Sequence, residues 1–238
     1  MSASANDGDA VMTTKRAMDV INWTLPGLTL YYRDADLPIE CVQKYTQGTI
    51  LLERGFVDVS SKAGRPTKNT RFLIMSSKGF PLYETGINSE TTAKWALTVI
   101  KCFSFFKVID VYEKEGVTQI SLLHIPYAGV PLFRNRVCFM VRGENMEEYL
   151  CRQTRSSLDT KLDAGDVVEA LEEEEWIERT KMPLGMNETT YEFFPLEIPP
   201  FARQHTNDDA NDLNNPFPTS EETTSSEADE SAPSPLPK

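Results

Sequence analysis

The residues able to do chemistry are few and scattered. Only two histidines occur, His124 and His205. His124 lies inside Ser121-Leu122-Leu123-His124-Ile125, an apolar run that reads as a strand. A thiol–imidazole nucleophile pair with Cys102, Cys138 or Cys151 is chemically conceivable. No flanking signature marks one, so a strand histidine satisfied by a neighbouring group is the expectation. The fourth cysteine is Cys41, and no two cysteines share C-x-x-C spacing. Reduced core thiols are expected, and no metal site is expected, since zinc needs four converging N or S ligands. Acidic residues crowd the stretch 163–178, but Glu172 to Glu175 are consecutive and radiate around a helix instead of converging. No D-x-D-x-D-G calcium loop is present. Ala63-Gly64-Arg65-Pro66-Thr67-Lys68 lacks the second glycine of a phosphate-binding loop. No catalytic residue and no cofactor is assigned on these grounds.

The one concentration of like charge with a binding use is basic. Lys62, Arg65, Lys68, Arg71 and Lys78 fall between Ser60 and Phe80 with no acid among them. They form a candidate anion- or partner-binding loop, for nucleic acid, phospholipid or an acidic protein. The chain as a whole is acidic, with a formal net charge of −12 over 238 residues. Seven of those charges lie beyond His205, which leaves a mildly acidic body and argues against wholesale coating of nucleic acid or anionic membrane.

The elements that would position these groups read as α+β: a mainly antiparallel sheet with one buried helix against it, a C-terminal helix-plus-hairpin unit and a disordered acidic tail. Residues 1–14 are small and polar and read as a flexible N-terminus. Residues 15–204 read as one globular body, with the core sheet and helix at about 50–158 and the C-terminal helix and hairpin at about 161–200. Residues 205–238 hold only Leu213, Phe217 and Leu236 as large apolar groups, too few to offset roughly 1–2 kcal/mol of backbone entropy per residue. Such a tail could fold back electrostatically over Lys62 to Lys78.

Within the body, an amphipathic stretch covers Lys15 to Trp23, and Pro38 opens a helix through Cys41, Val42 and Tyr45. Leu28 to Tyr32 reads as a short strand or a docked segment, Thr49 to Leu52 as the end of that helix or a strand, and Phe56 to Val59 alternates like a strand. Phe72-Leu73-Ile74-Met75 reads as a strand buried on both faces in mid-sheet. Ser89 to Phe106, with Ala93, Ala96, Ile100 and Phe103 on one side, reads as the buried helix. Lys107 to Tyr112 and Val117 to Ile125 form a hairpin across Glu113-Lys114-Glu115-Gly116. A strand follows at Arg136 to Val141, then helices at Glu144 to Ser157 and Asp163 to Glu175. Short strands at Trp176-Ile177 and Tyr191 to Phe194 complete the C-terminal unit.

Two resemblances attach to these segments. Leu51 to Val57, Gly64-Arg65-Pro66 and Phe72 to Gly79 together resemble the wing of winged-helix regulators, which implies DNA contact through the basic hairpin at 60–80. The strand–helix order from Arg71 to Ser157, with Ile74 to Tyr83 as opening hairpin, is similar to longin and roadblock-type domains, which are non-enzymatic platforms. Together these favour a non-enzymatic protein that binds another macromolecule, with a protein as the expected partner and a nucleic-acid-binding regulator as the alternative. An enzyme assembled from distant residues is the third reading. No segment approaches 18 uninterrupted apolar residues, and Met1 to Asp9 lacks the features of a signal peptide, so no membrane span and a cytoplasmic location are expected.

Overall fold

The computed structural model describes residues 14–86, 89–134 and 140–199. Along the chain these form α1 (Thr14–Thr24), β1 (Thr29–Ala35), α2 (Ile39–Val42), β2 (Ile50–Glu53), β3 (Val57–Ser60), β4 (Thr70–Ser76) and β5 (Phe80–Pro81). Then come α3 (Ser89–Lys94), β6 (Leu97–Ile100), β7 (Ser104–Lys114), β8 (Val117–Ile125), α4 (Val130–Arg134), β9 (Met140–Val141), β10 (Glu144–Asn145), α5 (Met146–Asp163) and α6 (Glu174–Thr180). Eight strands make one sheet in the order β2-β7-β8-β4-β1-β3-β6-β5. Every neighbouring pair in it is antiparallel except β4 and β8.

The mixed α/β character and the large, mostly antiparallel sheet follow the sequence pattern. β4 lies mid-sheet between β1 and β8, and all seven of its residues are buried. Its four consecutive apolar residues are needed because both faces are covered: Phe72 and Ile74 pack in one core cluster, Leu73 and Met75 in clusters on the other face. On the first face lie α2 and the segment around Leu184 and Met186. On the second lie α1, α4 and α5, through Val20, Phe133, Met146 and Leu150. The β7–β8 hairpin turns through Glu115 and Gly116, both at positive φ (52° and 77°), as a tight turn demands.

The helix expected over 89–106 is not one. α3 stops at Lys94, the chain breaks at Ala96 (φ 45°), and Leu97–Ile100 pairs with β3. A second left-handed residue, Phe103 (φ 57°), immediately precedes β7. Thr98, Val99 and Ile100 are β-branched or follow a β-branched neighbour, and an open edge on β3 turns that preference into a strand. The helix packed on the sheet is instead α5, and α1 and α4 share that face. The expected helix 163–175 is also replaced: α5 ends at Asp163, a single 3-10 turn covers Glu169–Glu172, and Trp176 and Ile177 lie in α6, not in a strand. Tyr191 to Phe194 makes only an isolated bridge, Phe193 to Met186. The segments 1–13 and 205–238 and most of the expected strand 136–141 lie outside the described residues. Among the described residues no helix is long and apolar enough to cross a membrane.

Candidate functional site

β1 presents Arg33 on the face it shares with Tyr31 and Ala35. The side chain is only 5 % exposed. Its Nη2 donates to the Met182 carbonyl at 2.8 Å, and its Nε has no partner. Burial lowers its pKa, while the Glu53 and Asp58 carboxylates act in the opposite direction and favour the charged form. A buried cation with an unspent donor is costly, and sites that retain one are functional candidates.

Arg33 forms the floor of a cleft of about 410 Å³. One wall is the β2–β3 turn with Glu53, Arg54 and Phe56; the other is Arg179 and the chain from Met182 to Phe194. Glu53 holds the walls together. Its Oε1 accepts the Gly55 N–H and its Oε2 the Gly185 N–H, each at 2.7 Å. Asp58 takes the Arg179 guanidinium at 2.7 Å. The second wall is further tied down where Tyr45 donates to the Leu184 carbonyl at 2.7 Å and Lys44 bonds Tyr191 and Glu192. Arg54 lies over the Phe194 ring at 4.5 Å. Phe56 is 69 % exposed at the mouth, an unusual position for so large an apolar ring. Guanidinium donors on the floor and rim, backed by carboxylates and faced by an open aromatic ring, suit an anionic ligand that carries a flat ring.

The basic run does not come together. Arg71 is 1 % exposed, with Nε and Nη2 on Asp34 at 2.6 and 2.7 Å and Nη2 also on the Gly64 carbonyl at 2.9 Å. Lys62 and Arg65 are exposed and Lys68 half-buried near that end of β4. Lys78 sits past the opposite end of β4, over the Trp23 ring at 5.0 Å. With β4 central and covered on both faces, 60–80 is no winged-helix wing. Nor does 71–157 follow the strand–helix order of a longin-type unit, since the expected helix is absent.

His124 is fully enclosed, between Trp23 and Phe106 with ring centroids at 5.1 and 5.0 Å. Its Nδ1 is 2.7 Å from Ser76 Oγ. Burial, aided by the Lys101 and Lys78 charges, lowers its pKa to about 3. It is a neutral core group without access to substrate. Cys41, Cys102 and Cys151 are free thiols; Cys41 lies against Met186 Sδ and Cys151 against the Ile109 carbonyl. Among the described residues no group of three or more His, Cys, Asp or Glu side chains could hold a metal ion.

No family model and no curated protein matches the chain. Solved structures do resemble part of it. The type III effector XopAI from Xanthomonas axonopodis pv. citri has a TM-score of 0.35 at 15 % identity over 44 % of this chain and 43 % of that one. Exoenzyme S from Pseudomonas aeruginosa, solved with human 14-3-3 protein beta and bound to carba-NAD, has a TM-score of 0.34 at 13 % identity over 44 % of this chain and 52 % of that one. The ADP-ribosyltransferase HopU1 of Pseudomonas syringae pv. Tomato DC3000 has a TM-score of 0.34 at 16 % identity over 41 % and 45 %. The chain thus spans about half of each. This finding corrects the expectation of a non-enzymatic macromolecule-binding protein, with a nucleic-acid-binding regulator as its alternative: two of these three structures carry the names of enzymes, and the third that of an effector. Fold likeness does not carry a reaction, which rests on the residues of the site.

Arg33 was not among the residues singled out from sequence. An arginine directly after Tyr31-Tyr32, on the strand face that also carries Tyr31 and Ala35, was the available signal.

Proposed function

We propose that the Arg33 cleft is the ligand site of an enzyme and receives a phosphate-bearing small molecule of the nucleoside diphosphate class. The observation that carries this reading is the Arg33 guanidinium, buried at the cleft floor with Nε unspent. A guanidinium fork binds phosphate oxygens bidentately, and the buried setting strengthens each charge-assisted bond. Glu53 and Asp58 keep Arg33 charged without ligand, so the site is organised before the anion arrives. Phe56 at the mouth offers a stacking surface for the base.

Calorimetric titration with inorganic pyrophosphate, ADP-ribose and NAD at low ionic strength tests this. Saturable binding to the wild type is expected. Arg33→Lys, which keeps the charge but loses the fork, should weaken it roughly ten- to hundredfold, the worth of one charged hydrogen bond. Phe56→Ala, at an exposed position that leaves the fold intact, should weaken ADP-ribose and NAD but not pyrophosphate. No saturable binding, or equal binding by Arg33→Lys, overturns the reading. Release of nicotinamide from NAD, lost in Arg33→Lys, is the expected turnover if the reaction is the transfer that HopU1's name states. Binding without release would assign the site to a chemistry other than cleavage of the nicotinamide–ribose bond.

A further inference from the structure

A larger cleft, of about 800 Å³, opens between β7 and α5 on the other face of the sheet. Its floor is built by a break in strand alternation. In a regular strand Lys107 and Asp110, three residues apart, point to opposite faces. Here the β7–β8 register slips: Val108 lies opposite Leu122 and Asp110 opposite Ser121, so Ile109 is an extra residue. The bulge turns Asp110 to the side of Lys107, and bulges that re-aim side chains recur next to functional sites.

α5 meets both with one stripe. Glu147, Cys151 and Arg155 are spaced i, i+4, i+8. Lys107 donates to Glu147 at 2.5 Å, and Arg155 grips Asp110 through Nε and Nη2 at 2.7 and 2.9 Å. Between them the Cys151 thiol bonds the carbonyl of the bulged Ile109 at 3.2 Å. Burial raises the Cys151 pKa to about 12, so the thiol is a structural donor and not a nucleophile.

Lys107 and Glu147 are 4 % and 11 % exposed in their side chains. A buried ion pair is a poor source of stability, since an apolar pair of the same size does as well or better. This buried pair lies in the same cleft as the Asp110–Arg155 pair, whose arginine is 48 % exposed and faces the opening, and the combination points to a use in binding. The sign of the ligand follows from the donors. Asp110 spends both oxygens on Arg155, and Glu147 is taken by Lys107. The bases keep donors in hand against Glu148, the further carboxylate of the lining: Arg155 has Nη1 on the far side of its guanidinium, Arg134 lines the mouth, and Arg152, paired with Glu144 through Nη2, keeps its other N–H groups.

We propose that the β7–α5 cleft is a second binding site, for a small polyvalent anion of the phosphate or polycarboxylate type, seated on the guanidinium groups of Arg134, Arg152 and Arg155 above the fixed Lys107–Glu147 and Asp110–Arg155 pairs. The inference is independent of the Arg33 reading.

The test is calorimetric titration of Arg33→Lys protein, which isolates this cleft, with inorganic phosphate and with citrate as separate arms. Saturable binding of one or both is expected, and the arm that binds names the anion. Arg134→Gln with Arg152→Gln should weaken it at least tenfold without shifting the ligand-free Tm. Lys107→Met with Glu147→Leu should keep or raise the ligand-free Tm and still weaken binding at least tenfold. No saturable heat with either anion, or wild-type affinity in either double variant, overturns the proposal. Because Arg33 is already substituted, either result leaves the first cleft to its own experiment.

Discussion

The Asp34–Arg71 pair gives the sharpest test of the structure. Replacing Asp34 with leucine strands a guanidinium that is 1 % exposed. Arg71 would lose two hydrogen bonds of 2.6 and 2.7 Å and keep only the Gly64 carbonyl, while its Nη1 already lacks a partner. Thr67 would also lose its weaker bonds to Asp34. Breaking a buried pair from one side costs about 3–5 kcal/mol, most of it the penalty of the orphaned charge. Removing both ends avoids that penalty. Asp34→Leu with Arg71→Met should therefore return to within about 1 kcal/mol of the wild type, or exceed it. Urea denaturation at neutral pH measures each variant, with unchanged m-values showing that the unfolded state is comparable. A loss below about 1 kcal/mol for Asp34→Leu, or a double variant whose loss equals the sum of the singles, would refute the reasoning. Arg71 would then be available to a partner, as the basic run in the sequence suggests.

Two further outcomes follow from particular contacts. His124 has its folded pKa lowered to about 3 from an ordinary 6.5, so the unfolded chain binds a proton that the folded one refuses. Stability from this group is complete above pH 6.5 and declines as pH falls towards 3, by about 2.5 kcal/mol between pH 7 and 4.5; His124→Gln should flatten that part of the urea-derived stability profile relative to wild type. Gly185 has φ 72°, and a Cβ there would lie 2.8 Å from Leu51 Cβ and 2.7 Å from its Cδ1. Gly185→Ala should cost about 2–4 kcal/mol from backbone strain plus overlap, whereas Gly27→Ala, with φ 75° and open space around it, should cost only about 1–2 kcal/mol; equal losses in thermal melts would show that the Leu51 contact does not matter.

How much of this was legible depends on whether the determinant is local. The apolar run Phe72 to Met75, the Glu115-Gly116 turn, Pro38 before α2 and the amphipathic α1 were all readable, because each is fixed by neighbours along the chain. The stretch 89–106 was not. Its apolar residues fit a helical stripe as well as they fit two strands, and distant partners select strands: the edge of β3, forty residues upstream, for 97–100, and β2 and β8 for the residues from Ser104. The E-x-x-x-C-x-x-x-R stripe of α5 was visible as spacing, but its meaning needed Lys107 and Asp110 on one face, which a bulge created and no alternation pattern shows.

By itself, then, the sequence determined a mixed fold around a buried central strand, because burial and turn chemistry are written into consecutive residues. Tertiary structure alone decided the charges. It sank Arg71 onto Asp34, sealed His124 against Ser76, and set Arg33 at the floor of a cleft walled by a segment some 150 residues away. The physical reason is that a side chain's chemistry depends on its solvation and its partners, and both are supplied by parts of the chain that sequence spacing does not connect.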